Sequence, residues 1–220
     1  LTQKVVIFDL DDTLYKEIEY VESAYQDIAN WLESIHNIHD VYGYMISCFY
    51  NKENVFERVN KNYLLNIDID QYLEKYRNHY PNLVLEANTI TMLNELLKNN
   101  CYLGIITDGR ELTQRNKINA LALHNYILEK ECVISESFGY SKPSLENYLY
   151  FSEKLGNKQY YYVGDNTSKD FIAPNYLGWK SVCLLDDGRN IHKQSFFECK
   201  EKLPQYIISD ILELLDIILK

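Results

Sequence analysis

Four short apolar runs, KVVIFDLD, YLGIITDG, QYYYVGDN and SVCLLDDG, end in Asp, Gly or Thr, and each leads into a helical pattern. Strands buried on both faces read as continuous apolar runs, so this rhythm specifies a parallel α/β sheet. Two weaker runs, Cys132 to Ile134 and Tyr206 to Ile208, add candidate strands. Ser209-Asp210 ahead of ILELLDIIL supplies an N-cap and a helical period, which predicts that the chain closes on a helix.

The connection from the first run to the second is far too long. A βαβ crossover normally needs one helix, whereas here the chain runs from Tyr15 to Tyr102 between the two strands. Val21, Ala24, Tyr25, Ile28, Leu32 and Ile35 repeat at i, i+3, i+4, i+7, and similar patterns recur near Val41 to Tyr50, Val55 to Leu65 and Tyr72 to Tyr76. The segment reads as a small helical bundle. It is expected to end near Tyr80-Pro81, because proline disfavours helix in the residue before it; the helix from Ile90 to Leu97 then returns to the sheet. With 220 residues, the expected organisation is a core formed by 1–15 and 82–220 with an inserted subdomain, 16–81.

Charge and composition narrow the partners. Net charge is -10 and Lys and Arg form no stripe, which argues against nucleic-acid binding. An anionic small substrate therefore needs locally supplied cations. No apolar run approaches the ~20 residues of a membrane span, and the first residues lack a basic region followed by an apolar core. Five scattered cysteines without a CxxC pair suit a reducing compartment. The expectation is a soluble, cytoplasmic protein with no membrane partner.

Ligands of open parallel sheets bind beyond the carboxyl ends of the strands, so residues just after each apolar run can meet. The first run offers Asp9, Asp11 and Thr13; the second, Thr107, Asp108 and Gly109; a later one, Gly164, Asp165 and Asn166, with Asp170 following and Lys142-Pro143 on the connection between. Carboxylates crowded within four positions raise each other's pKa unless a cation answers them. Together with a hydroxyl, exposed backbone N–H groups and a lysine, they are the components of Mg²⁺-assisted phosphoryl transfer.

In order and spacing, FDLDDTLY, ITDG, the SKP lysine and VGDNTSKD resemble the four motifs of the haloacid dehalogenase superfamily of aspartate-nucleophile hydrolases. The insert after the first motif is similar to that superfamily's C1-type helical cap, and the resemblance implies a Rossmann-like core beneath a mobile lid. It also implies that Asp9 is the nucleophile forming an aspartyl-phosphate and that Asp11 is the acid/base. Mg²⁺ would be bound by Asp9, Asp165 and the carbonyl of Asp11. Thr107, the N–H groups of Asp108 and Gly109, and Lys142 would hold the transferring phosphoryl group. Thr13 would orient Asp11, and Asn166 and Asp170 would fix metal waters or Lys142.

The remaining residues are assigned more plainly. Asp12 reads as a solvated structural charge, and LDDG at Leu185 to Gly188 as a post-strand turn. Asp108 stands where relatives often carry Asn or Ser; Arg110 is expected to pair with it, the alternative being a substrate anion. Tyr15, Glu17, Tyr20 and Arg110 are expected at the pocket edge. DNTSKD lacks the ligand residues and glycine of a calcium loop, and His36 with His39 has no visible partner ligands. An acid two residues after Asp9 argues against dehalogenation, which has no leaving oxygen to protonate. The expected function is a Mg²⁺-dependent phosphatase acting on a small phosphorylated metabolite, a sugar phosphate or nucleotide. A phosphomutase is the alternative, with a silent phospho-ligand-binding or receiver-like protein behind it.

Overall fold

The computed structural model describes residues 3–197 and 199–220. Six strands form one parallel sheet: β1 (Lys4–Phe8), β2 (Tyr102–Thr107), β3 (Cys132–Ile134), β4 (Gln159–Gly164), β5 (Lys180–Leu184) and β6 (Tyr206–Ile208), in the order β3-β2-β1-β4-β5-β6. The four strong apolar runs are the four central strands, and the two weak ones are the edges. β1 is central and pairs with β2 on one side, Phe8 opposite Ile105, and with β4 on the other, Phe8 opposite Val163.

Side chains alternate across a strand, so β1 serves two cores. Val6 and Phe8 enter one with Leu93, Leu96 and Leu214, while Val5 and Ile7 enter the other with Tyr148, Phe151 and Trp179. Residues that are buried whichever way they point explain why the run is continuously apolar. Each such side chain contributes roughly 1.5–3 kcal/mol of burial. Helices α5 (Ala87–Lys98), α6 (Glu111–Ala120), α7 (Ser135–Phe138), α8 (Glu146–Leu155), α9 (Ile172–Tyr176) and α10 (Leu214–Leu219) complete this part. Before α10, Asp210 and Glu213 form a reciprocal capping box, as the N-cap reading expects.

Between β1 and α5 stand α1 (Glu17–His36), α2 (Val41–Tyr50), α3 (Val55–Asn62) and α4 (Ile69–Asn78), around a separate core of Ile28, Leu32, Met45, Val59 and Tyr72. Phe56 stacks on Tyr72 with ring centroids 4.9 Å apart. α3 stops short of Leu65: Leu64 takes a φ of 54° and is 92% exposed, so the apolar period there overstates the helix. Tyr76 packs against both this core and the larger sheet core. No helix among the described residues is long and apolar enough to cross a membrane.

Candidate active site

Because β1 lies between β2 and β4, Asp9, Thr107 and Asp165 share one sheet end. All three are buried, as is Lys142. Lys142 Nζ lies 2.8 Å from Asp9 Oδ2 and 2.8 Å from Asp170 Oδ1, and it donates to the Tyr162 hydroxyl at 3.1 Å. Burial opposes its charge, but the carboxylates of Asp170 and Asp9 outweigh that and push its pKa above the ordinary lysine value. Asp170 is completely buried and fits only because residue 164 is glycine: a Cβ there would sit 2.5 Å from Asp170 Oδ2.

Asp9, Asp165 and Asp170 each offer a carboxylate oxygen within 4.8 Å of the others. Burial raises Asp9 to about 7, with Lys142 pulling it back, and burial with the charge of Asp9 raises Asp165 to about 9. Asp170 is better matched, since Oδ1 faces Lys142 and accepts from Tyr162, and Oδ2 accepts the Asn166 N–H. Three carboxylates thus share the single ammonium of Lys142, an excess of acid groups that weighs on Asp9 and Asp165. An all-oxygen donor set with that excess suits a hard divalent cation such as Mg²⁺.

Asp11 sits beside them, held from α6. Lys117 Nζ donates to Oδ1 at 2.7 Å, Gln114 Nε2 donates to Oδ2 at 2.8 Å and to Thr107 Oγ1 at 2.6 Å, and the Tyr15 hydroxyl donates to Oδ1. Burial raises its pKa, but the charge of Lys117 and these donors prevail and hold it below the usual carboxylate range. Thr13, expected to orient Asp11, does not: its hydroxyl is buried with no hydrogen-bond partner among the described residues. Gln114, Lys117 and Tyr15 do that work instead, so Tyr15 is a partner of Asp11. Tyr20, also expected at the edge, is buried with its hydroxyl on the Tyr76 carbonyl.

Several other expectations change. Asp12 is not solvated: it is 2% exposed, adopts a φ of 55°, and accepts the N–H groups of Glu17 and Ile191. Arg110 faces Glu136 at 3.4 Å, while Asp108 pairs with Lys169 at 2.8 Å and accepts the Lys142 N–H. The Gly109 N–H, expected on phosphate, donates to Ser135 Oγ at 3.0 Å. Gly109 itself has a φ of 147°, and a Cβ there would press on Gln114 at 3.0 Å. Asn166 uses its side-chain oxygen to accept from Ser168. Lastly, LDDG is more than a turn. The segment it begins crosses the site, placing Asn190 on Asp165 and His192 in the cavity lining.

That cavity, of about 110 Å³, is lined by Asp9, Asp11, Glu17, Thr107, Asp165 and His192, among others. Sequence reasoning missed Gln114, Lys117, Lys169, Asn190 and His192. The first two had one signal: the buried face of α6 consists of Gln114, Lys117 and Ile118, polar where a helix normally turns apolar residues inward.

The fold and site define an α/β enzyme with an acidic, lysine-bearing centre at the carboxyl end of its sheet. A family model for haloacid dehalogenase-like hydrolases matches residues 6–184, and the chain belongs to that family. It is 30% identical to a glyceraldehyde 3-phosphate phosphatase of Methanocaldococcus jannaschii, over 98% of this chain and 96% of the relative. A protein of the same name from Methanopyrus kandleri is 26% identical, over 98% and 97%. Among solved structures, the magnesium-bound HAD-hydrolase YfnB of Bacillus subtilis superposes with a TM-score of 0.66 at 19% identity, covering 99% of each chain.

Proposed function

We propose that this chain is a Mg²⁺-dependent phosphatase of small sugar phosphates, working through an aspartyl-phosphate on Asp9. The observation that carries the reading is Asp9 at the end of β1, lining a small cavity with one carboxylate oxygen 2.8 Å from a buried lysine and Asp165 beside it. Asp9 and Asp165, with the Asp11 carbonyl, would hold the ion. Bound there, Mg²⁺ would offset the repulsion between a phosphate dianion and an attacking carboxylate.

Lys142 would draw the phosphoryl group toward Asp9, and the Thr107 hydroxyl would bind one of its oxygens. The charge of the incoming phosphate would raise the Asp11 pKa from its depressed resting position. Asp11 would thus take up a proton on substrate binding and give it to the leaving oxygen as Asp9 attacks phosphorus. Asp11 would then take a proton from water as the acyl phosphate is hydrolysed, returning Asp9 to a carboxylate. Helices α1 to α4, inserted after β1 and beginning at Glu17 in the cavity lining, would act as the lid that excludes bulk water.

Charge pairing favours a substrate with an uncharged tail. Every lysine around the site is matched: Lys142 by Asp9 and Asp170, Lys117 by Asp11, Lys169 by Asp108 and Lys16 by Asp187. Glu17 also lines the cavity, its carboxyl raised to about 8 by burial and the charge of Asp11 against the pull of Lys117, and would meet a substrate hydroxyl or carbonyl more readily than a second anion. A tail bearing an aldehyde or hydroxyl fits this lining better than a second anion. The names of the two curated relatives agree.

Phosphate release from glyceraldehyde 3-phosphate and from 3-phosphoglycerate, which differ in one carbonyl substituent, tests this. The aldehyde should be preferred by at least ~10-fold in kcat/KM, about 1.4 kcal/mol. Asp9→Asn should abolish release from both; retained activity would refute the nucleophile, and a preference for the acid would refute the substrate class.

A further inference from the structure

The segment after β5 is stitched to the site at four points. The Ile191 N–H donates to Asp12 Oδ2 at 3.0 Å, and the Ile191 side chain packs against the core of the helical insert. Gln194 Nε2 donates to the carbonyls of Asp165 at 2.9 Å and Leu184 at 2.8 Å, and the Ser195 N–H donates to Thr167 Oγ1 at 2.9 Å. Immediately before the first of these anchors, Asn190 Nδ2 donates to Asp165 Oδ2 at 3.0 Å while its Oδ1 accepts from Lys16 Nζ at 2.8 Å.

Only one orientation of that amide is possible. An ammonium group has donors alone, so a flipped amide would set Nδ2 against Lys16 Nζ, and against an ionised, metal-binding Asp165 it would also set Oδ1 against a carboxylate oxygen. We infer that Asn190 is the positioning residue for the metal carboxylate Asp165, holding its Oδ2 and so fixing the carboxylate plane beside Asp9. Lys16 fixes Asn190 in turn. Because Lys16 immediately precedes α1 and Ile191 packs on the insert, the same segment ties the metal carboxylate to the base of the helical insert.

The inference rests on the Mg²⁺ reading, and direct binding separates the two. Mg²⁺ affinity is measured by calorimetry, and by displacement of luminescent Tb³⁺, on the full chain and on Asn190→Ala, Asn190→Asp and Asp165→Asn. Loss of a partner that orients a metal ligand costs about 10–100-fold in affinity, and Asn190→Ala should show that loss. Asn190→Asp keeps an acceptor for Lys16 but sets a carboxylate against Asp165, so it should bind Mg²⁺ no better than Asn190→Ala. The thermal midpoint of metal-free Asn190→Ala should stay close to that of the unsubstituted chain, and high Mg²⁺ should restore its kcat. Affinity within about twofold in Asn190→Ala, with Asp165→Asn deficient, would overturn the role of Asn190 alone. Undiminished affinity in Asp165→Asn would overturn the metal site itself. A lowered metal-free midpoint with unchanged affinity would make Asn190 merely structural, which also refutes the inference.

Discussion

In the proposed reaction Asp11 has to carry a proton as the leaving oxygen departs and to lack one as water attacks, so its partners set the pH range in which that reaction runs. Lys117 dominates them, since it is buried, 2.7 Å away, and overcomes the burial that would otherwise raise the carboxyl. Lys117→Met keeps much of the stem and removes the charge. Without a neighbouring cation the carboxylate loses stabilisation and the Asp11 pKa rises. The alkaline limb of kcat, where the acid of the substrate complex loses its proton, should therefore move to higher pH. A limb that stays put would show that Lys117 does not tune Asp11. Little of this was legible in the sequence: Asp11 belongs to a recognisable acidic cluster, but Lys117 lies far along the chain, and only the polar inward face of α6 hints at it. Asp12 misled for the reverse reason, because acidic turns are usually solvated and only the fold brings the Ile191 N–H to it.

At the level of elements, strands were readable and irregular segments were not. β1, β2, β4 and β5 announce themselves because both faces are buried, and the insert because its helices keep a 3.6-residue period. The segment from 185 to 197 has no period to read; its hydrogen bonds to Asp12, Asp165 and Thr167 exist only once the sheet is assembled. α8 holds a different exception. Asn147 is 1% exposed, and neither its amide nitrogen nor its oxygen has a partner among the described residues. A buried, unsatisfied amide costs about 1–3 kcal/mol, and a leucine of similar size removes that cost. Asn147→Leu should raise the thermal midpoint, by roughly 2–4 °C for each kcal/mol recovered in a chain of this length. A lower midpoint in calorimetry would mean that the amide is satisfied after all.

Over the whole molecule, the sheet gathers what the chain scatters. Asp9, Asp11, Thr107, Lys142, Asp165 and Asp170 were all legible as motif residues, since each follows or ends an apolar run or sits in a recognisable tripeptide. What the sequence left out is how they pair, with the lysines matched and more acid groups than cations left around Asp9 and Asp165, which raises both carboxyls. That balance is the physical basis for proposing a divalent cation, a phosphate dianion and a carboxylate nucleophile at one point. The central claim is that the phosphoryl group passes through Asp9, which requires two successive in-line displacements. The stereochemical course at phosphorus tests it most directly, using a substrate whose phosphoryl group is made chiral with sulfur and oxygen isotopes and water as the acceptor. Two displacements predict overall retention of configuration; inversion would mean that water attacks the substrate directly, and would contradict the account.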